Sequence, residues 1–190
     1  DIITFCNTSK KFVPHFHVPL QSGSNKILKA MRRRYDRGLY EDRINTIKSL
    51  NIDTCIGVDV MVGFPGESDG DFLETYNFLN DIDISYLHVF TYSPRQNTHA
   101  MQINETIPKE VKAERSKILH ALSEKKRSLF HDQFISTERD VLFESTRNGK
   151  LLGHTDNYIK VEVEKYPNSI NKVHPIQLIE NRGELVIGTF

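Results

Sequence analysis

Cysteine is scarce in this 190-residue chain, with only Cys6 and Cys55 present. Two isolated cysteines among many charges read as free thiols of a reducing compartment, so a cytoplasmic protein is expected rather than a disulfide-stapled one. They form no CxxC or CxxxCxxC spacing, and this chain alone cannot ligate an iron–sulfur cluster. Long apolar runs are missing too. No stretch approaches the roughly 20 residues of a membrane span, and no basic start with an apolar stretch marks a secretory signal. No methionine opens the chain, and a piece of a longer protein is expected. Charge of one sign does not dominate: 25 Lys and Arg balance 25 Asp and Glu, which excludes a bulk polycation. Residues 108–137 are locally basic, with seven cations against four anions.

Strand and helix patterns alternate in the first part. "HFHVPL" (15–20) reads as a strand, and Ser24 is the N-cap candidate for a helix carrying Ile27, Leu28 and Met31. "LYEDRINTIKSL" (39–50) has apolar positions at helical period. "CIGVDVMVGF" (55–64) is a buried-type strand rich in β-branched residues. Ser68 opens a further helix with Asp69 and Asp71 in its first turn, where the helix dipole favours negative charge. "YLHVFTYS" (86–93) is the next strand. Strand–helix repeats of this kind predict parallel strands with right-handed crossovers.

Lys109 to about Ile135 predicts one long helix without Gly or Pro, its apolar stripe formed by Val111, Ile118, Leu122, Leu129 and Phe130. The pattern then changes to "RDVLFEST", "YIKVEVEK", "HPIQLIEN" and "ELVIGTF", with turn clusters between them. These predict a small antiparallel β-barrel of OB-like size. The expected organisation is half of a partial (β/α) barrel over 1–107, a connecting helix over 108–137 and the small barrel over 138–190.

Several residues can carry chemistry. Gly63 and the Pro65-Gly66 dipeptide form a turn at the C-terminal end of a strand, where backbones approach ligands closely and α/β sheets bind them. Asp59 is a lone carboxylate in an apolar strand; it needs a partner, either a nearby cation or backbone N–H, or the hydroxyls of a ligand such as a ribose. Gln21 and Ser22 follow another strand end. Of Arg32, Arg33 and Arg34, one must point toward the sheet at ~100° per residue, where it could grip a carboxylate. His15 and His17, two residues apart, share a strand face; with His88 they read as polar residues lining a barrel interior, with metal ligation the lesser alternative. Arg147, Lys150, His154, Asn157, Tyr158 and Lys160 mix cations with an aromatic beside one hairpin, a combination that suits looped or single-stranded RNA. A plain polar hairpin is the alternative.

"HFHVPLQSGSNKILKAMRRRY", "VDVMVGFPGES" and "LHVFTYSPRQNT", in this order and separation, resemble the methylthiotransferases of the radical S-adenosylmethionine superfamily. The C-terminal segment resembles their RNA-binding TRAM domain. The resemblance implies that Gln21 and Asp59 take the ribose hydroxyls of S-adenosylmethionine and Arg33 its methionine carboxylate. Met61, Gly63, Phe64 and Pro65 would flank the adenine with Ser93 nearby, and Ser22 would adjoin Gln21. It also implies two [4Fe–4S] clusters in a full-length parent, neither ligated here, so the fragment alone is expected to be inactive. The implied partner is the anticodon stem-loop of a tRNA, and no membrane is involved. "LHVFTYS" and "VLFEST" look most like the branch acting on N6-threonylcarbamoyladenosine, with the isopentenyladenosine branch as nearest rival and the ribosomal-protein branch more remote. A non-catalytic RNA-binding module is the rival of a different class. An exposed edge strand of the half-barrel could pair two copies.

Overall fold

The computed structural model describes residues 2–103, 105–164 and 166–190. It divides into two compact units. One comprises residues 17–49 and 56–123; the other comprises residues 1–16, 50–55 and 124–190.

The three-stranded sheet has the order β1 (His15–His17), β2 (Cys55–Val62), β3 (Tyr86–Thr91). β2 and β3 run parallel, with Asp59 opposite His88 and Met61 opposite Phe90. Past β1 the chain stays close to β2: Gln21 donates its N–H to the Asp59 carbonyl at 2.8 Å and accepts from the Met61 N–H at 2.8 Å. Val58, Val60 and Val62 point to one face of β2 and are fully buried, in a core that includes Leu20, Ile27, Leu28, Ile44 and Leu79. Removing each such side chain from water is worth about 1.5–3 kcal/mol. The opposite face of β2 carries the partly exposed Asp59 and Met61. Period-two alternation thus dedicates one face of the strand to packing and the other to chemistry.

Helices α2 (Asn25–Ala30), α3 (Arg37–Leu50) and α4 (Asp69–Asp81) connect these strands, following α1 (Ile2–Thr8) of the other unit. α4 begins with a complete capping box. The Asp71 N–H donates to Ser68 Oγ at 3.2 Å, and the Ser68 N–H donates to Asp71 Oδ2 at 2.9 Å. Two N–H groups that the first turn would leave unpaired are thereby satisfied. Ser24 has the extended conformation of an N-cap, but its hydroxyl donates to Asp71 Oδ1 at 2.9 Å instead of capping α2.

α5 (Lys109–Asp132) is a single 24-residue helix. Its buried face contains Leu119, Ser123 and Phe130, so Leu129 falls past the edge of that face and is 53% exposed, unlike the predicted stripe. In the other unit, β4 (Glu138–Arg147), β5 (Lys150–Thr155), β6 (Lys160–Glu164), β7 (Lys172–Asn181) and β8 (Val186–Thr189) close a barrel in the order β4-β5-β6-β8-β7. The barrel is mixed rather than wholly antiparallel, because β6 and β8 pair in parallel. β5 was not predicted. Among the described residues, no helix is long and apolar enough to cross a membrane.

Candidate functional site

The C-terminal ends of β2 and β3 open onto a cavity of about 510 Å³. It is lined by Gln21, Arg33, Met61, Phe64 and Ser93, together with residues of the stretch between Thr91 and Ala100. Five sequence-predicted residues from four separate segments therefore meet at one site. The backbone explains why. Gln21 takes a left-handed conformation (φ 74°), rare for a residue with a side chain, and so does Arg32 (φ 58°). Such outliers gather at ligand sites, where the surrounding structure imposes them. The Arg33 N–H donates to the Leu28 carbonyl at 2.9 Å, which folds the end of α2 back toward the strand ends.

The Gly-Phe-Pro-Gly-Glu turn supplies the apolar wall. Phe64 is 6% exposed and meets Tyr92 edge-on at 5.4 Å between ring centroids. Gly63 has φ +74°, and a Cβ there would strike the Lys112 stem. Its N–H donates to Glu67 Oε2 at 2.8 Å. Glu67 in turn accepts from Arg115 Nη1 at 2.6 Å, while Arg115 Nη2 donates to Asp69 Oδ1 at 2.7 Å. Burial pushes the Glu67 carboxyl above its ordinary range, against the Gly63 and Arg115 bonds that favour its charge. The turn is pinned from behind, and its geometry does not depend on a ligand.

The remaining predicted cofactor residues lie outside the cavity lining. Ser22 is fully buried and its hydroxyl pairs with Thr75 Oγ1 at 3.3 Å, a link between the strand end and α4. Pro65 is buried and shapes the turn. Asp59 stands two residues before Met61 on the same sheet face and accepts from His17 Nε2 at 2.6 Å. His88 joins them, and the ligand-type atoms of His17, Asp59 and His88 all lie within 4.8 Å of one another. The sequence did not expose Phe90, Tyr92, Arg95 and His99 as cavity residues. Their signal is position: Phe90 lies in the last part of β3, and Tyr92, Arg95 and His99 follow its end.

Asp71 anchors the same region. Burial opposes its charge, yet bonds from Lys26, Ser68 and Ser24 hold its carboxyl at about 2. The Lys26 ammonium is raised in return by its bond to Asp71.

The predicted RNA residues occupy two places on the barrel. Arg147 and Lys150 pair across the β4–β5 turn, where Asn148 and Gly149 both have positive φ, as a tight two-residue hairpin requires. Lys150 is engaged by Glu162 at 3.0 Å and Glu164 at 3.4 Å. His154, Asn157, Tyr158 and Lys160 lie at the far end of β5, about 15–20 Å away at the ~3.3 Å rise of a strand. There the Tyr158 ring is held between His15 and His154, stacked at 4.2 Å and 4.8 Å, so both its faces are already covered. Asn157 is fully buried; it accepts from Thr155 Oγ1 at 2.6 Å and donates to the Asp53 carbonyl at 3.2 Å. His15 thus belongs to this stack and His17 to the Asp59 cluster, despite their shared strand.

The cavity's donor set suits an ionised amino acid joined to a nucleoside. A guanidinium, an amide and a hydroxyl stand beside Phe64 and Met61, and the volume falls in the range of small-ligand pockets. An iron–sulfur cluster does not fit this chain, since two cysteines fall short of the three or four thiolates such a cluster takes.

Residues 6–79 match the family model described as "Radical SAM superfamily". The chain thus carries part of a radical S-adenosylmethionine domain. Among similar proteins, the threonylcarbamoyladenosine tRNA methylthiotransferase MtaB of Bacillus subtilis is 35% identical over 98% of this chain and 44% of its own length. The protein of the same name from Aquifex aeolicus is 43% identical over 87% of this chain and 40% of its own. The tRNA-2-methylthio-N(6)-dimethylallyladenosine synthase of Rickettsia felis is 33% identical over 99% of this chain and 43% of its own. The chain belongs to the radical S-adenosylmethionine methylthiotransferase family, and it spans less than half the length of these relatives.

Proposed function

We propose that this chain is the C-terminal half of a cytoplasmic tRNA methylthiotransferase that adds a 2-methylthio group to N6-threonylcarbamoyladenosine beside the anticodon. The observation that carries this reading is the meeting of Gln21, Arg33, Met61, Phe64 and Ser93 at one strand-end cavity. S-adenosylmethionine, when bound, supplies the methyl group and the radical chemistry. In this reading Arg33 holds its carboxylate bidentately, Gln21 takes a ribose hydroxyl, and Phe64 with Met61 packs on the adenine. Asp59, oriented by His17, takes the second ribose hydroxyl. The pinned Gly63–Glu67 turn keeps the apolar wall in place before the cofactor arrives, which lowers the ordering cost of binding.

The barrel of residues 138–190 acts as the TRAM-like RNA module. Arg147, Lys160 and Lys172 are free cations of the barrel, since among the described residues none of the three has an acidic partner within 4.0 Å. The ring of His154, stacked on Tyr158, offers an outer face on which a base can stack. The threonylcarbamoyl substrate is favoured over the dimethylallyl one by the 43% identity to the Aquifex protein, against 33% for the Rickettsia felis synthase and 39% for that of Rickettsia rickettsii.

The test is nucleoside mass spectrometry of tRNA from cells that lack both modifications and express the full-length gene. The methylthio form of threonylcarbamoyladenosine should appear with the wild-type gene and vanish with Arg33→Ala. Appearance of the methylthio dimethylallyl nucleoside instead assigns the rival substrate. Neither product from a well-expressed protein refutes the reading.

A further inference from the structure

One face of α5 is cationic, and of it only the Lys112 stem, packed against Gly63, belongs to the site described so far. Lys109, Lys112, Ser116, Lys117 and His120 follow one another at the i, i+3, i+4 and i+7 spacings of a single helical face. With Thr91 at the end of β3 they line a groove of about 440 Å³. Lys109, Lys117, His120 and Thr91 are exposed, and Lys112 and Ser116 are half-buried. Glu110 and Glu114 fall along one flank and do not line the groove. Among the described residues, the ion pairs made by α5 between residues 109 and 123 are those of Arg115. The three lysines therefore keep their charges for an anion from outside.

Two details tie the groove to the cofactor cavity. Thr91 lines both. The Lys112 ammonium donates to the Tyr92 carbonyl at 3.4 Å and sits 5.4 Å above the Tyr92 ring, whose edge contact with Phe64 forms part of the cavity wall. His120 donates from Nδ1 to the Ser116 carbonyl at 2.8 Å, which fixes the ring and directs Nε2 away from the helix backbone.

We infer that this groove binds the phosphodiester backbone of the RNA substrate and leads the strand to the mouth of the cofactor cavity. The inference rests on the RNA reading above and adds to it a second contact surface, distinct from the barrel. From Lys109 to His120 the helix extends about 17 Å, enough for several phosphates of one strand at their ~3.4 Å axial spacing. Lysines act as point charges toward phosphate, and the hydroxyls of Thr91 and Ser116 can donate to its oxygens. Among the described residues no Phe, Tyr or Trp lines the groove, and the one ring there, His120, is tied to the Ser116 carbonyl, so the groove grips backbone and leaves the bases to be read elsewhere.

The test is fluorescence anisotropy of a labelled anticodon stem-loop RNA titrated with this chain at several salt concentrations. The Lys109→Gln/Lys112→Gln/Lys117→Gln triple variant should bind at least tenfold more weakly at ~0.1 M salt. Its log–log salt slope should be shallower by about 2, at ~0.7 per single-strand phosphate lost. Because Lys112 packs against Gly63, the Lys109→Gln/Lys117→Gln pair is measured as well and should lose about 1.4 of slope. Arg43→Gln, an exposed cation on α3, serves as control and should leave the slope unchanged. If the lysine variants match wild type while Lys160→Gln weakens binding, the groove is refuted and the barrel reading stands. An equal loss in Arg43→Gln also refutes the groove, because the effect is then bulk charge. No binding by wild type at any salt refutes the groove and the RNA reading together.

Discussion

Arg115 and Glu67 form an ion pair of 2.6 Å between side chains that are 5% and 1% exposed. It sits directly behind the turn that walls the cavity, and the Gly63 N–H shares the same carboxylate oxygen. The final residue of Gly-Phe-Pro-Gly-Glu is therefore a structural latch, held by a helix 48 positions along the chain.

Breaking one side of a buried pair leaves an uncompensated charge, at a cost of about 3–5 kcal/mol. Arg115→Met should lower stability by that order, measured as the urea midpoint at constant m-value. Glu67→Gln should cost less, because it removes the carboxylate that burial already disfavours. The Glu67→Gln/Arg115→Met double variant should recover part of the loss. A double variant as unstable as the two single losses added would show that the pair is not coupled.

Gly63→Ala tests the turn from the front. A left-handed residue with a side chain costs about 1–2 kcal/mol, and the new methyl must also displace the Lys112 stem. The expected result is a loss of at least that size with weakened cofactor binding. Unchanged stability would mean that the left-handed turn is not required.

Asp71 sets an acid limit. Its carboxyl is held at about 2 in the fold, against 3.8 ordinarily. A depressed acid contributes stability that is present above its unfolded value and lost as pH falls through the folded one. Wild type should lose this contribution between about pH 4 and pH 2. Asp71→Asn should be less stable at pH 7 and show a flatter acid profile over that window. Parallel profiles would contradict the Lys26–Asp71–Ser68 network.

His131 works at milder pH. Burial lowers its folded value below the ordinary 6.5. The unfolded chain then binds the proton more readily, so stability is full above about 6.5 and falls as pH drops below it. His131→Leu should flatten the stability profile between pH 7 and pH 5. An unchanged slope would show that His131 does not carry it.

The parts of this molecule legible in sequence were those with local causes. The strand over Cys55–Val62, the Ser68 cap and the Gly63–Gly66 turn each announce themselves within a few residues; Gln21, Met61, Phe64 and Ser93 converge because they sit at or just past strand ends, and Arg33 joins them from the turn after α2. What was missed depends on distant partners. Arg115 looked like one cation in a basic helix until Glu67 was placed beside it. β5 reads as irregular because Gly153 interrupts "LLGHT". In the barrel that glycine is needed, since a Cβ there would strike the Leu142 carbonyl of the neighbouring strand. Tyr158 reads in sequence as either a stacking surface or a packed ring, and the structure packs it, with His15 on its other face.

Binding of S-adenosylhomocysteine, which has the same ribose, adenine and amino-acid groups but no sulfonium, isolates recognition from radical chemistry. The measurement is calorimetric titration of the full-length protein containing this chain, with Gln21→Ala and Arg33→Ala alongside. Saturable binding by wild type, weakened at least tenfold (about 1.4 kcal/mol) in Arg33→Ala and measurably in Gln21→Ala, is expected. Wild-type affinity in the Gln21→Ala/Arg33→Ala double variant would contradict the assignment of this cavity to the cofactor.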